Sequence, residues 1–329
     1  MKTYQIFAGI IFLLLVGCGS DNIISKSDTI GKFTVNMEIV PDFDGNKYSD
    51  LRKAALSVFK SRVNFIIDPE AELGRLNRDR GPQPMSQDFK ELMTLIMDLD
   101  EITNGTWSPY MGKPRELWQF DASEPTTPSA SFLYNAIEQA NGTELVLHTG
   151  DKAQLTGDGI LYIENVTVGW AIDGAAEVLI GGGVDAGKIS VGKLSRFWGS
   201  PPDSTWGFLI SSQSQDSTEY LISPTEGAVN IIERESDGFM HNEQLHYTFL
   251  NPENGLPISG PIGCAVWTPK AAEAAAYVEA IAVMSLADGF EWASHHEDIS
   301  ALYIFPTDGT YAVHMVLQMT PWVKTVLNR

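Results

Sequence analysis

The sequence of 329 residues predicts an α+β fold with a mainly antiparallel sheet. Helix-like and strand-like segments interleave up to about residue 200, and short strand-like segments then follow one another over residues 206–251. The apolar segments on either side of Asp308-Gly309 have the pattern of a closing hairpin. With 43% hydrophobic residues, the chain can bury a large core.

The N-terminus has the pattern of a lipoprotein signal. Lys2 precedes an apolar run over residues 6–17, and the segment LVGC ends at Cys18. The run is shorter than the about 20 residues that a membrane-spanning helix needs. LVGC resembles the lipobox of bacterial lipoproteins, in which the Cys is lipidated and becomes the first mature residue. We therefore expect a signal peptide over residues 1–17; the alternative is a plain signal peptide with an incidental Cys.

This signal implies a lipid-anchored protein of the bacterial cell envelope, on the periplasmic or extracytoplasmic face, with the lipid on Cys18. Residues 18–29 are small and polar, as expected of a tether, and residues 30–329 are expected to form one domain. Cys264 is then the one other cysteine, so we expect no disulfide and a small buried hydrophobic side chain there.

The net charge of −20 argues against a nucleic-acid partner, because phosphate backbones are bound by basic surfaces. The acidity is instead typical of a solvated surface.

The middle of the chain contains several amphipathic segments in order. A strand is predicted over residues 31–40 and a helix over 49–66. The next helix spans residues 86–105, with Ser86 as its cap and Asn104-Gly105 as its end. Further predictions are helices over 129–141 and 169–183, a strand over 188–194, and a helix over 274–289 that begins after Thr268 and Pro269 and stops at Gly289.

Two motifs favour structural interpretations. The segment GGVDAGKI, residues 182–189, nearly matches a phosphate-binding loop, but it lacks the final hydroxyl and leads from a helix into a strand. A glycine cluster that ends a helix fits better. His295 and His296 are expected in a solvated turn, whereas His241 and His246 can each line a cleft.

The segment NGTWSPYMGKPRELWQF, residues 104–120, is a long loop rich in Gly, Pro and aromatic residues. Loops of this kind shape binding pockets. The alternative is a structural loop whose Trp107 and Trp118 pack on the core.

From about residue 30 to residue 290, the chain resembles the FAD:protein FMN transferases, the ApbE-like flavin transferases, which are commonly exported lipoproteins. Four segments carry the resemblance, each similar to a family box: AELGRLNR at 71–78 to S-E-L-S-R-L-N, the loop at 104–120 to D-G-A-F-D-P-T-V-G-P-L-x-x-L-W-G-F, GWAIDGAAEVL at 169–179 to K-G-Y-A-V-D, and LNPENGLP at 250–257 to H-I-I-D-P-x-T-G-x-P.

The resemblance implies antiparallel sheets and packed helices in two lobes around a central cleft. In that cleft the family binds FAD beside Mg²⁺ and passes FMN to a Thr or Ser hydroxyl of an envelope redox protein. The residues that match the flavin-binding boxes, or stand in them, are the candidate flavin site: Gly105, Thr106, Trp107, Ser108, Gly169, Asp173 and Phe249.

The chain departs from the family at reactive positions. We align the family's Asp and Thr metal ligands with Tyr277 and Ile281, which offer a neutral phenol and no oxygen. Thr248 stands at the family's His, Asn251 at its Asp, and Val168 at its Lys. The sequence therefore predicts no metal ligands and counts against Mg²⁺, and it identifies no catalytic residue.

Three hypotheses follow. The first is an envelope lipoprotein whose Mg²⁺-dependent FMN transfer is impaired. Its cleft, which corresponds to the FAD-binding cleft of the family, binds either FAD or a protein partner. Such a partner would be an envelope flavoprotein or a redox-complex subunit. The second is an active FAD:protein FMN transferase with relocated ligands drawn from Asn165, Glu279 or Asp288. The third is a solute-binding lipoprotein of unrelated fold.

Overall fold

The computed structural model describes residues 23–41, 45–120, 126–211, 218–241, 243–258, 260–307 and 310–327. The predicted signal peptide, Cys18 and the Asp308-Gly309 turn lie outside the described residues.

The N-terminal half interleaves helices and strands, as predicted. Ser86 and Ser129 each accept a hydrogen bond from a backbone N–H one turn later, which fixes the start of two of the helices. The elements are β1 (Ile24–Ile30), β2 (Phe33–Val40), α1 (Gly45–Ile67), α2 (Glu72–Arg78), β3 (Gln83–Pro84), α3 (Gln87–Ile102), α4 (Gly112–Trp118), α5 (Ala130–Asn141), β4 (Glu144–His148), β5 (Lys152–Thr156) and α6 (Glu164–Gly181).

The C-terminal half is richer in strands. Its elements are β6 (Ala186–Val191), β7 (Leu194–Trp198), β8 (Phe208–Ser211), β9 (Thr218–Ile222), β10 (Gly227–Glu233), α7 (Arg234–Asp237), β11 (Gly238–His241), β12 (Gln244–Tyr247), β13 (Gly263–Thr268), α8 (Ala271–Val283), α9 (Leu286–Ser294), β14 (Ser300–Thr307), β15 (Thr310–Met315), a 3₁₀ helix (Leu317–Trp322) and β16 (Val323–Leu327).

An eight-stranded sheet in the order β1-β2-β6-β7-β10-β13-β14-β15 forms the centre of the molecule. Every strand pair in it is antiparallel, which confirms the predicted sheet type. β14 and β15 form the predicted hairpin, with Thr307 opposite Thr310. Three smaller sheets, β3-β5-β4, β16-β9-β8 and β11-β12, flank the large one.

Helices α6 and α8 form the buried layer next to this sheet. They pack on each other, α1 packs on α6, and α8 contacts β10 and β13. Both helices are apolar around most of their circumference, which is typical of a helix covered on several sides. Cys264 lies in this core and is fully buried, so the prediction of a small hydrophobic side chain is confirmed.

Several boundaries differ from the sequence predictions, among them that of the strand predicted over 188–194, which covers the end of β6 and the start of β7. Residues 24–29 were predicted as tether, but they form β1 because their backbone pairs with β2. Helix α6 begins at Glu164 rather than at residue 169. The single helix predicted over 274–289 is two helices, because the chain becomes extended at Met284 and Ser285 caps α9 through the N–H of Asp288.

No helix within the described residues is both long and apolar enough to cross a lipid bilayer.

Candidate functional site

A cavity of about 330 Å³ lies beside the large sheet, between the loop before α4, the start of α6, the β6–β7 turn, the segment after β12 and one face of α8. Its walls combine aromatic side chains, hydroxyls, amides and charged groups. The lining residues are Phe33, Thr106, Trp107, Ser108, Met111, Arg115, Tyr162, Glu164, Asn165, Val168, Val191, Gly192, Lys193, Leu194, Asn230, Ile231, Ile232, Asp237, Thr248, Phe249, Leu250, Pro252, Val278, Glu279 and Val283.

Four of the seven predicted flavin-site residues line this cavity: Thr106, Trp107, Ser108 and Phe249. The first three follow a reversal of the chain at the end of α3, where Asn104 and Gly105 have positive φ angles of 50° and 73°. Asn and Gly adopt this left-handed conformation more readily than other residues. Asn104 and Gly105 therefore end α3, as predicted, and also turn the chain so that Thr106 to Ser108 lie at the cavity. Both interpretations of the 104–120 segment hold, since Trp118 is buried elsewhere and donates to the carbonyl of Gly255 at 2.9 Å.

The other three predicted flavin-site residues lie outside the lining of this cavity. Gly105 forms the turn just described. Gly169 lies where α6 crosses α8, and a Cβ atom there would lie 2.5 Å from the carbonyl oxygen of Ala271. Asp173 accepts the backbone N–H groups of Ala271 and Ala272 at 2.9 and 3.1 Å. Gly169 and Asp173 therefore dock and cap the N-terminus of α8.

The face of α8 that borders the cavity also differs from the one inferred from the sequence. Tyr277 is buried and packs edge-on against Trp292, with ring centroids 5.2 Å apart, and Ile281 is 1% exposed in the core. Because α8 turns about 100° per residue, its cavity side carries Val278, Glu279 and Val283 instead. Of the α8 residues considered as ligand positions, Glu279 therefore lines the cavity, and Tyr277 and Ile281 do not.

Glu279 and Asn165 both line the cavity and contact each other directly, since the Asn165 Nδ2 donates to the Glu279 Oε1 at 2.5 Å. Burial raises the pKa of Glu279 to about 7, although the hydrogen bond from Asn165 and the charge of Arg115 both oppose this rise. Asp288, the third residue considered as a relocated ligand, does not line the cavity and is hydrogen-bonded to Ser285. Two of the three residues are thus brought together.

The other two carboxylates of the cavity wall are paired with lysines. Glu164 forms an ion pair with Lys32 at 2.7 Å, and Asp237 lies 3.4 Å from the Lys193 Nζ. Lys193 also donates to Glu233 at 2.5 Å. These contacts tie the β6–β7 turn to the segment between β10 and β12. Within the described residues, no three Asp, Glu, His or Cys side chains converge as a metal site would require.

Arg115 is a cavity residue that sequence reasoning missed. Its Nη1 donates to the Thr248 carbonyl at 2.8 Å, and its guanidinium lies 4.5 Å from the ring centroid of Tyr162. It stands at a variable position of the family box, so the motif does not identify it as a site residue. The one indication in the sequence is that it is a basic residue in a loop expected to form a pocket. Asn77, which the first box retains, binds Leu161 N and O at 2.8 and 3.0 Å and so fixes the segment that carries Tyr162.

The chain matches the model of the ApbE family over residues 36–303. Because this match spans most of the chain, the protein belongs to the ApbE family. No curated protein matches the chain significantly.

Solved structures of ApbE proteins share this fold. The chain is similar to the apo flavinyl transferase ApbE of Pseudomonas stutzeri, with a TM-score of 0.79 and 17% identity over 93% of this chain and 98% of that chain. The flavin transferase ApbE of Vibrio cholerae has a TM-score of 0.77 and 18% identity over 91% of this chain and 99% of that chain. An ApbE protein of Thermotoga maritima has a TM-score of 0.79 and 16% identity, again over 91% of this chain and 99% of that chain. The predicted fold is confirmed.

Proposed function

We propose that the protein binds a flavin nucleotide, FAD above all, in the cavity of about 330 Å³, and that its Mg²⁺-dependent FMN transfer is impaired. The observation that carries the first part is the aromatic and hydroxyl wall formed by Trp107, Ser108 and Phe249. Aromatic side chains offer a flat surface on which a ring system stacks. Membership of the ApbE family supports the same ligand and removes the hypothesis of an unrelated fold.

The chemistry of the cavity wall supports the second part. Mg²⁺ prefers anionic oxygens in an octahedral arrangement. On α8 the cavity presents one carboxylate, Glu279, between Val278 and Val283. That carboxylate already accepts a hydrogen bond from Asn165 at 2.5 Å, and burial raises its pKa to about 7. The other two carboxylates are held by Lys32 and Lys193.

Flavin binding is tested by titrating the purified full-length protein with FAD and following the quenching of flavin fluorescence. Saturable binding is expected. Ser108→Trp should abolish it because the indole would fill the cavity, whereas Ser108→Ala should retain it. If the wild-type protein fails to quench FAD fluorescence, the proposed ligand is wrong.

The second candidate is an active transferase. The observation that favours it is the meeting of Glu279 and Asn165 in the cavity, since one carboxylate together with nucleotide phosphates is a common environment for Mg²⁺. In such a reaction a Thr hydroxyl of an acceptor attacks the FMN phosphorus of FAD. A phosphoester forms, the phosphoanhydride bond breaks, AMP leaves, and the hydroxyl proton passes to a base or to solvent.

Incubation of the protein with FAD, Mg²⁺ and a Thr-bearing acceptor peptide decides between the two candidates. Impaired transfer predicts an acceptor of unchanged mass. An acceptor heavier by one FMN, with AMP released, would establish the active transferase, and Glu279→Gln should then abolish the product.

We also propose that the protein is lipid-anchored to the cell envelope through Cys18 and that it serves an envelope flavoprotein or redox-complex subunit. The LVGC segment supports the anchor. The expected result is a membrane-bound wild-type protein and a Cys18→Ala variant that is released or retains its signal peptide. Equal membrane association of both would contradict the anchor.

A further inference from the structure

Two cations line the cavity, and their surroundings differ. Lys193 contacts two carboxylates, Glu233 at 2.5 Å and Asp237 at 3.4 Å, so its charge is already neutralised. Arg115 has no carboxylate within ion-pair distance among the described residues, where its one hydrogen bond goes to the neutral carbonyl of Thr248. Arg115 is therefore the cavity cation with positive charge to offer a ligand.

The guanidinium of Arg115 is held in place by its neighbours. It lies 4.5 Å from the ring centroid of Tyr162 on one side and 5.0 Å from that of Phe120 on another, and the Thr248 carbonyl takes one of its N–H groups. Stacking on aromatic rings leaves the remaining N–H groups in the guanidinium plane available to an acceptor. A planar fork held in this way suits a phosphate group, which it can bind through two parallel hydrogen bonds.

An anionic ligand needs such a group here. The cavity wall carries the carboxylates of Glu164 and Asp237, which lysines already pair, and that of Glu279, and a flavin dinucleotide would bring two further negative charges. Placing an unpaired anion in a cavity with several apolar wall residues is costly. The cavity offers few free ligands to an Mg²⁺ ion that would neutralise those charges, because Lys32 and Lys193 already pair two of its carboxylates.

We propose that Arg115 binds the phosphate oxygens of the flavin nucleotide and neutralises their charge in place of a divalent cation. This inference rests on the proposed flavin binding and assigns Arg115 as the residue that distinguishes phosphorylated flavins from riboflavin. The site then selects FAD or FMN without added metal.

The test compares FAD with riboflavin, which lacks phosphate, in EDTA, using the quenching of flavin fluorescence by the purified full-length protein. The wild-type protein should bind FAD about tenfold to a hundredfold more tightly than riboflavin, the range expected for a charge-assisted hydrogen-bonded pair. Arg115→Gln should reduce this preference at least tenfold, because FAD loses its phosphate contact whereas riboflavin has no phosphate contact to lose.

Lys113→Gln is the matched control. It removes one positive charge from the same helix, but Lys113 does not line the cavity and its Nζ bonds Gln139 at 2.7 Å. It should retain the full preference for FAD. Arg115→Lys keeps the charge without the planar fork and should retain only part of the preference, so it carries the test if Arg115→Gln does not fold.

The outcomes separate the inference from the proposed function. Equal affinities for FAD and riboflavin in EDTA, or an unchanged preference in the Arg115 variants, would overturn the role of Arg115 while leaving flavin binding intact. A wild-type protein that binds neither flavin would overturn both. A preference for FAD that arises only with added Mg²⁺ would return the charge-neutralising role to the metal.

Discussion

Asp173 is a carboxylate that is only 5% exposed, and its two oxygens accept the first N–H groups of α8. Burial raises its pKa, while these two N–H donors and the nearby charges of Lys270 and Arg196 oppose the rise. The free N–H groups at a helix N-terminus need acceptors, and Lys270, at the N-cap position of α8, supplies none from its side chain. Asp173 therefore acts as the cap of α8, from a different helix.

The first prediction is that Asp173→Ala lowers the free energy of unfolding by about 1–3 kcal/mol, because two buried N–H groups lose their acceptor. Asp173→Asn keeps one amide oxygen in place and should cost less. Urea unfolding measures both variants, with the exposed Asp50→Ala as a control. A stable Asp173→Ala protein would mean that water replaces the cap.

At the scale of elements, the crossing of α6 and α8 determines where the cavity wall stands. Gly169 lets the backbones approach, since its hypothetical Cβ would meet the Ala271 carbonyl oxygen at 2.5 Å and the Ala272 Cα at 2.7 Å. The small side chains of α8 continue this close contact. From that crossing, α6 extends Asn165 and α8 extends Glu279 into the cavity.

The second prediction concerns this crossing. Gly169→Ala should destabilise the protein by about 1–3 kcal/mol, because the added methyl meets backbone atoms that cannot rotate away. Gly181→Ala is the matched control at the end of the same helix, where a Cβ meets nothing within 4 Å. It should be neutral or slightly stabilising, since Ala favours the helix.

Thermal unfolding of the two Gly variants gives the comparison. If both behave alike, the close approach of α6 and α8 at Gly169 is not essential for stability.

At the scale of the whole molecule, several half-buried carboxyls couple stability to pH. Burial raises the pKa of Glu273 to about 7, with Asp173 and Asp298 adding to the rise, and burial raises the pKa of Asp100 to about 6. A carboxyl whose pKa is raised in the folded state stabilises the protein while it is protonated in both states. That contribution is complete below the unfolded pKa and is lost as pH rises through the folded pKa.

The third prediction is that the free energy of unfolding falls as pH rises from about 4.5 to about 7, the window set by Glu273. Glu273→Gln should make this fall shallower, because the neutral amide does not titrate. Chemical unfolding at several pH values measures the slope, and Glu138→Gln, on the exposed side of α5, controls for the change in net charge. Equal slopes for wild type and Glu273→Gln would contradict the prediction.

Local sequence patterns were sufficient for much of the fold. Ser86 caps α3 as predicted, α5 begins next to the predicted start at Ser129, and the strands around Asp308-Gly309 pair as a hairpin. Thr106 to Ser108 line the cavity, as expected of a pocket-shaping loop, and the Asn104-Gly105 turn before them is a local signal. These features depend on residues within one or two turns of each other.

The assignment of helix faces could not be made in the same way. The helical pattern of α8 does not show which of its faces borders the cavity. The packing of α8 against α6 and Trp292 places Glu279 at the cavity and Tyr277 away from it. Arg115, similarly, becomes a cavity residue because Thr248 and Tyr162, distant in sequence, receive its guanidinium. The sequence by itself determined most of the elements, the Ser86 cap and the family, since these follow from local backbone preferences and ordered motifs. The tertiary structure decided which carboxylate and which cation share a cavity, because that depends on the rotation of each helix about its axis when the core is packed.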